Sequence, residues 1–240
     1  EDGFISIEVD PLLCDDVQGT IDEGVRIYKT LGNDNVMIKV PATNAGYAAM
    51  KELTSQGIHV NATLIFSPQQ AIQCARALNE GIQLSNKKPQ AVVSIFVSRF
   101  DRLCDSELVS KGLEKSRLGI INAAKCYHEI NKFSNKNIRT LFASTGVKST
   151  DLPSGYYVDE LLYPNSVNTA PLLTIEDWLV SGKKEEAKVI SEDECDEFFA
   201  QLKLKNVDMP KVYETLLNDG LSSFKASFKD LLGKLLSKSH

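Results

Sequence analysis

A lysine stands in the middle of an apolar stretch, Asn35 to Thr43, that reads NVMIKVPAT. Lysine is almost never fully buried unless it is paired, because taking an ion out of water is costly. Lys39 therefore either extends its amine to water along an apolar stem or serves chemistry inside the fold. The residue alone leaves both readings open. Burial favours the neutral amine, which attacks carbonyl groups, so the chemistry predicted for a buried Lys39 is Schiff-base formation with a ketone.

Three polar residues in neighbouring apolar runs are of the types that such a reaction needs. Glu8 lies in FISIEV, and Asn61 and Thr63 lie in HVNATLIF. A carboxylate, an amide and a hydroxyl can move a proton and hold a water molecule. Each also has a structural reading: Glu8 as the salt-bridge partner of Lys39, and Asn61 and Thr63 as hydrogen-bond partners of the backbone.

An anionic end of the substrate would need cations or hydrogen-bond donors. Arg99 follows an apolar run in SRFDR, and ASTGVK offers Ser144, the backbone amides around Gly146, and Lys148. The alternatives are an ion pair between Arg99 and Asp101 and a simple turn at the glycine. Because several separate segments supply compatible groups, together they favour a site.

These residues fall on a regular alternation of strand and helix patterns. Strands are predicted over residues 4–9, 36–41, 59–66, 91–97, 139–144 and 167–170, and helices over 16–28, 45–56, 68–78, 110–130 and 157–162. Ser67 and Pro68 form a typical helix start. Strands that alternate with helices indicate a parallel α/β sheet.

Alternation along each strand predicts one aliphatic face and one mixed face. The aliphatic sets are Ile5, Ile7 and Val9; Val36, Ile38 and Val40; Val60, Ala62 and Leu64; Val93, Ile95 and Val97; Leu141 and Ala143. The mixed sets contain Ser6 and Glu8; Met37, Lys39 and Pro41; Asn61, Thr63 and Ile65; Ser94, Phe96 and Ser98; Thr140, Phe142 and Ser144. A doubly wound sheet buries both faces under helices, whereas a (β/α)8 barrel collects polar groups at the carboxyl ends of its strands. The pattern favours the barrel.

Composition excludes several functional classes. The 240-residue chain has a net charge of −5, which argues against a nucleic-acid partner, and it has no apolar run long enough to span a membrane. Its five cysteines form no C-x-x-C pair, so neither a disulfide framework nor a zinc site is predicted. Reduced thiols indicate a cytoplasmic protein.

We expect a single barrel domain over residues 1–240. The βα units occupy 1–180, a charged connecting segment that is either a solvated linker or a surface helix occupies 181–208, and an amphipathic helix occupies 209–240. That helix is expected across the outer or top surface of the barrel, where its apolar stripe serves core packing rather than a partner. Six strands do not fill an eight-stranded barrel, so we expect the chain to contain strands three to eight.

The segments ISIEVDP, NVMIKVPAT, GIHVNATLIFS, VSIFVSRFDR, LFASTGVK and NSVNTAP resemble transaldolase, in the family's order. The resemblance extends from Phe4 to about Leu179, and the STGVK and VNTAP variants resemble the longer bacterial branch. It implies a (β/α)8 barrel with Lys39 as the Schiff-base lysine. The implied roles of the other site residues are a pair holding the catalytic water (Glu8, Thr63), an active-site asparagine (Asn61), the lining of the substrate site (Ser94, Phe96) and phosphate ligands (Arg99, Ser144).

The implied reaction moves a dihydroxyacetone unit from sedoheptulose 7-phosphate or fructose 6-phosphate to an aldose phosphate, as in the pentose phosphate pathway, without a metal or organic cofactor. Two departures qualify the resemblance. The family's proton-shuttling aspartate and a substrate-binding asparagine would precede Glu1, and Lys148 stands near the position of a second phosphate-binding arginine. The alternatives are an aldolase that releases dihydroxyacetone and a non-catalytic sugar-phosphate-binding barrel fragment. We expect a monomer or homodimer.

Overall fold

Six parallel strands form one sheet. A computed structural model describes residues 3–238, with the side chains of 3–235 and 237. The strands are β1 (Ile5–Glu8), β2 (Val36–Pro41), β3 (His59–Ile65), β4 (Ala91–Phe96), β5 (Ile138–Ala143) and β6 (Ser166–Asn168). All six coincide with predicted strands to within a few residues.

The strands lie side by side in the order in which they occur along the chain, and every neighbouring pair is parallel. A doubly wound sheet reverses its strand order at a switch point, which this sheet does not do within the described residues. The sequential order is that of a (β/α)8 barrel, in agreement with the prediction. Within residues 3–238, β1 and β6 are not paired with each other.

Nine α-helices occur in the described residues. They are α1 (Val17–Leu31), α2 (Asn44–Ser55), α3 (Pro68–Leu84), α4 (Ser98–Ser110), α5 (Leu118–Asn131), α6 (Tyr156–Glu160), α7 (Leu172–Ser181), α8 (Glu192–Leu204) and α9 (Met209–Lys238). The helix predicted over 110–130 begins too early, because only α5, from Leu118, lies in this region, and α4 before it was not predicted. The turn between them contains Gly112 at φ 74°, a conformation that glycine adopts without strain.

The charged segment 181–208 is not merely a solvated linker. Helix α8 begins in a capping box in which Ser191 accepts from the backbone of Glu194 and the Glu194 carboxylate accepts from the backbone of Ser191. Its Cys195 and Leu202 side chains are fully buried. Of the two alternatives, a surface helix is therefore correct. The last two residues of the predicted helix over 209–240 lie outside the described residues.

The outer face of the sheet packs against the helices. Val36, Ile38 and Val40 of β2 and Val93, Ile95 and Val97 at β4 belong to this core, together with Met50 and Leu53 of α2 and Leu78 of α3. The edge strand β1 differs, since Ile5 is 58% and Ile7 37% exposed.

Two of the predicted strand faces are wrong in part. In β3 the register shifts between Ala62 and Ile65, and Leu64 takes a φ of 59°. This bulge turns Leu64 to the inner side and Ile65 to the outer core, the reverse of simple alternation.

In β5 the two faces are exchanged relative to the prediction. Leu141 and Ala143 lie on the inner face, whereas Phe142 packs outside against Tyr127 and Tyr163. Leucine and phenylalanine suit either face, so the pairing with β4 decides. Leu141 lies opposite the inward-facing Ser94.

Candidate active site at the inner face of the sheet

The inner face of the sheet encloses a cavity of about 430 Å³. Five of the predicted site residues line it: Lys39, Asn61, Thr63, Ser94 and Phe96. They come from β2, β3 and β4, which are consecutive in the sheet. Because parallel strands in register present neighbouring side chains on the same face, three separate sequence segments converge on one volume.

Strand β2 holds Lys39 at a fixed level in the sheet. In the register of the sheet, Lys39 lies opposite Glu8 of β1 and opposite Asn61 of β3. The strand then ends abruptly: Thr43 caps α2, and a Cβ at Gly46 would lie 1.9 Å from the Pro41 carbonyl oxygen. Only glycine permits this close return of the chain, which fixes the end of β2 beside the cavity.

The amine of Lys39 is half-buried and covered by an aromatic ring. Its Nζ lies 5.3 Å from the centroid of the Phe224 ring on α9. An ammonium group over an aromatic face is attracted by the ring quadrupole. Lys39 thus projects into the cavity on the inner face of the sheet, next to the Phe224 ring.

Glu8 carries an unsatisfied carboxylate next to this amine. Its Oε1 is buried and has no hydrogen-bond partner among residues 3–238. Burial raises the pKa of Glu8 to about 7, and the positive charge of Lys39 acts in the opposite direction. A carboxyl group with a pKa near neutrality can both accept and donate a proton at physiological pH. The attraction between the two charges also means that Glu8 and Lys39 lie close together.

Thr63 and Asn61 differ in how their polar atoms are satisfied. Thr63 is fully buried, and its Oγ1 has no partner in the described part of the chain. Asn61 belongs to a chain of hydrogen bonds: Ser94 Oγ donates to Asn61 Oδ1 at 2.6 Å, and Asn61 Nδ2 donates to Ser6 Oγ at 2.9 Å. Neither side chain is hydrogen-bonded to a backbone group, so the prediction that Asn61 and Thr63 act as hydrogen-bond partners of the backbone is wrong.

Arg99 lies beside the cavity, on the first turn of α4. Its guanidinium is 5.1 Å from the centroid of the Phe96 ring. Burial and the nearby charge of Arg102 lower the pKa of Arg99, while Asp219 of α9 raises it. The alternative pairing with Asp101 is not what the side chain does, since the buried Asp101 carboxylate accepts from the Gly119 amide and from the Tyr157 hydroxyl.

Ser144 and Lys148 are not among the residues that line the main cavity. Ser144 follows β5 with a φ of 56°, and its Oγ lies 3.2 Å from the Oγ of Ser98. This contact places Ser144 next to the residue that precedes Arg99. Lys148 is exposed and lines a separate hollow of about 230 Å³, which Ser98 and Arg102 also border.

The sequence analysis did not identify two residues near the site, Arg139 and Phe224. Arg139 lines the cavity from β5. The signal that singled out Lys39, a cation within an apolar strand, was equally present there. Phe224 was assigned to core packing, and no sequence signal distinguished it from the other apolar residues of α9. No metal-ligand cluster and no helix able to cross a membrane occurs in the part of the chain that the structure describes.

The chain is similar to known proteins over nearly its whole length. The sequence pattern of the family described as Transaldolase/Fructose-6-phosphate aldolase matches residues 1–235. The transaldolase of Campylobacter jejuni (strain RM1221) is 46% identical over 245 residues, which cover 98% of this chain and 73% of that protein. The transaldolase of Helicobacter pylori (strain Shi470) is 45% identical over 230 residues, covering 96% of this chain and 71% of that protein.

Proposed function

The chain belongs to the transaldolase/fructose-6-phosphate aldolase family, and from this premise we propose that it is a transaldolase whose Schiff-base lysine is Lys39. The observation that carries the proposal is the position of Lys39 on the wall of the inner cavity, in register with Glu8 and Asn61. The family has a (β/α)8 barrel fold, and the sequential parallel sheet agrees with it.

In the proposed reaction the Lys39 nitrogen attacks the ketone carbon of a ketose phosphate. Loss of water gives an iminium ion, which draws electrons from the neighbouring carbon–carbon bond. As that bond breaks, a base takes the proton of the adjacent hydroxyl, which becomes the aldehyde of the released aldose phosphate, and a three-carbon enamine remains on Lys39. The enamine carbon then attacks the aldehyde of an acceptor, and hydrolysis of the new iminium ion releases the product and the free amine.

We propose that Glu8 and Thr63 hold the water that enters and leaves this reaction. Both carry a buried polar oxygen without a partner in residues 3–238. Such atoms are costly, and a water between them would satisfy both. Glu8, with a pKa raised to about 7 by burial, is suited to accept the proton of this water and return it. The Ser94–Asn61–Ser6 hydrogen bonds would hold the amide of Asn61 towards the substrate hydroxyls.

For the phosphate end of the substrate we propose Arg99 and Ser144, with Lys148 at the rim. The guanidinium is the natural bidentate partner of a phosphate, whereas a lysine acts as a point charge. The contact between Ser144 and Ser98 supports the grouping of Ser144 with Arg99. Phe96, against which Arg99 packs, would line the path between the phosphate and the reacting carbons.

The proposed substrates are ketose and aldose phosphates such as sedoheptulose 7-phosphate and fructose 6-phosphate, with no metal or organic cofactor. The net charge of −5 speaks against a nucleic-acid partner. We further propose a cytoplasmic location and a monomeric or homodimeric protein. All five cysteines are buried free thiols, which agrees with a reducing compartment.

Reductive trapping tests the proposal. The full-length protein is incubated with fructose 6-phosphate and borohydride, digested, and analysed by peptide mass spectrometry. We expect a three-carbon adduct on Lys39 and none in Lys39→Ala. Lys51, an exposed lysine on α2, is the internal control because it should remain unmodified. An adduct on another lysine, or no adduct, would remove the central assignment. Comparing transfer to erythrose 4-phosphate with release of dihydroxyacetone separates a transaldolase from an aldolase.

A further inference from the structure

Helix α9 crosses the sheet at the ends of the strands that carry the site. Its first half is anchored there: Leu216 is buried, and the Tyr213 hydroxyl donates to Asn122 Oδ1 at 3.0 Å. Asn122 in turn donates to the carbonyl of Phe66, at the end of β3. A Cβ at Gly220 would lie 2.9 Å from Leu64 Cδ2 and 3.4 Å from Arg99 Nη1, so the absence of a side chain lets the helix approach closely.

This approach puts Phe224, one turn beyond Gly220, into contact with two site residues. Its ring lies 5.3 Å from Lys39 Nζ and 6.4 Å from the Phe96 ring, at an interplanar angle of 59°. Arg99 packs on Phe96. Lys39 and Arg99, which serve the two ends of the proposed substrate, are therefore linked through two aromatic rings, one of them supplied by α9.

We propose that Phe224 is a positioning residue that covers the Lys39 nitrogen and keeps water from the three-carbon intermediate bound to it. The inference rests on the proposed function and adds a residue that decides the fate of the intermediate. The half-buried Phe224 ring lies against the amine on the side of α9, so this apolar surface takes the place of water there. Because Phe224 belongs to α9 rather than to a strand, the apolar cover over Lys39 depends on how this helix packs against the sheet.

The enamine has two fates, which differ in the bond that its electron pair forms. With an acceptor aldehyde the pair forms a carbon–carbon bond, and the aldehyde oxygen takes up a proton. With water or an acid the pair takes a proton and forms a carbon–hydrogen bond. The resulting iminium ion then consumes one water, releasing dihydroxyacetone and restoring the amine. An apolar cover that limits access of water to the enamine favours its attack on the acceptor aldehyde.

The test measures both products in the full-length protein, with fructose 6-phosphate as donor and erythrose 4-phosphate as acceptor. In Phe224→Ala we expect the ratio of dihydroxyacetone release to transfer to rise about tenfold, the order expected for loss of one desolvated aromatic contact at the reacting nitrogen. Phe224→Leu retains an apolar cover, so its ratio should fall between those of the wild type and Phe224→Ala. It also tests the proposal where the alanine variant does not fold.

Phe228→Ala is the matched control. Phe228 is a half-buried phenylalanine one turn further along α9, and it is not packed against either core cluster. Its ratio should equal that of the wild type. Equal ratios in all variants, or the same rise in Phe228→Ala, would overturn the role of Phe224. If the wild-type protein forms no borohydride adduct on Lys39, the proposed function fails instead, so the two failures are distinguishable.

Discussion

The two faces of the sheet are built from the same strands but are satisfied differently. On the outer face, apolar side chains such as Ile38 and Ile95 are fully buried against the helices. On the inner face, Lys39 and Thr63 line a cavity, and Glu8 lies opposite Lys39 on the neighbouring strand. Glu8 and Thr63 each have a buried polar oxygen without a partner in residues 3–238. Since buried polar groups in proteins are nearly always paired, the unpaired oxygens lower the stability that the inner face contributes, whereas the packed outer face contributes most of it.

A buried threonine with an unpaired hydroxyl occurs on each face of the sheet, which allows the two faces to be compared directly. Thr63 on the inner face and Thr140 on the outer face are both buried, and neither Oγ1 has a partner within the described structure. The environment around them differs: Thr63 borders the cavity, whereas Thr140 shares its face with Ile138 and Phe142 of the outer core. An unsatisfied hydroxyl therefore does not by itself mark a functional residue, and the role proposed for Thr63 rests also on its access to the cavity.

The largest effect is expected for Lys39→Ala. Removal of the nucleophile should lower kcat by roughly 10⁴-fold or more, because no other lysine among residues 3–238 lines the cavity. The free energy of unfolding should change by no more than about 1 kcal/mol, since the side chain is only half-buried. A coupled assay of sugar-phosphate transfer and a thermal melt measure the two. Substantial residual transfer would contradict the role of the lysine.

Glu8→Gln should affect rate and pH response together. The wild-type rate should rise with pH through about 7, as the Glu8 carboxyl loses its proton and becomes a base. In Glu8→Gln the rate should no longer rise with pH through about 7, and kcat should be about 10²- to 10⁴-fold lower than in the wild type. A pH–rate profile is the measurement, and Glu52→Gln, an exposed glutamate on α2, is the control that should match the wild type.

The same substitution predicts a change in stability with a definite sign. The pKa of Glu8 is about 7 in the folded state and near 4.5 when unfolded, so the folded state binds more protons between these values. Stability should therefore fall as pH rises from about 4.5 to 7, by on the order of 2 kcal/mol after allowance for partial exposure. Urea unfolding at pH 5 and pH 8 checks this. In Glu8→Gln the difference between the two pH values should shrink by this amount.

Leu53→Ala tests the outer face. Leu53 on α2 is fully buried against Ile38 and its neighbours. Truncation should cost about 2–5 kcal/mol in the free energy of unfolding through lost burial and the cavity that remains. Because the residue is on the opposite side of the sheet from the cavity, kcat of the folded protein should stay within about twofold of the wild type. A large loss of kcat without a loss of stability would break the division between the faces.

A small gain in stability is expected for both members of the threonine pair. Thr63→Val and Thr140→Val each remove an unsatisfied hydroxyl at nearly constant volume, so each should raise stability by about 1 kcal/mol. Only Thr63→Val should lower kcat, by about tenfold or more, through loss of a group that holds the reacting water. Chemical denaturation and steady-state kinetics on both variants provide the measurements. Equal kcat values in Thr63→Val and Thr140→Val would show that the Thr63 hydroxyl has no role in the reaction despite its access to the cavity.

Local patterns predicted most elements but not their exact roles. Strand β2 was predicted with its observed bounds, since apolar residues flank Lys39 and a proline ends the run. Helix α4 was missed, because its hydrophilic sequence SRFDRLCDSELVS carries only a narrow buried stripe. Leu64 was assigned to the wrong face, since a bulge arises from the packing of β3 against β4 and leaves no mark on alternation.

The sequence by itself predicted the chemistry that we propose for this protein. A lysine inside an apolar strand, with a carboxylate, an amide and a hydroxyl at matching positions of adjacent strands, needs no coordinates to be recognised, because side-chain alternation is a local property. Tertiary structure decided what surrounds that chemistry. The face of β5, the exclusion of Lys148 from the main cavity and the seating of Phe224 over Lys39 depend on contacts between distant segments. Such contacts follow from packing and register, which residue types alone do not fix.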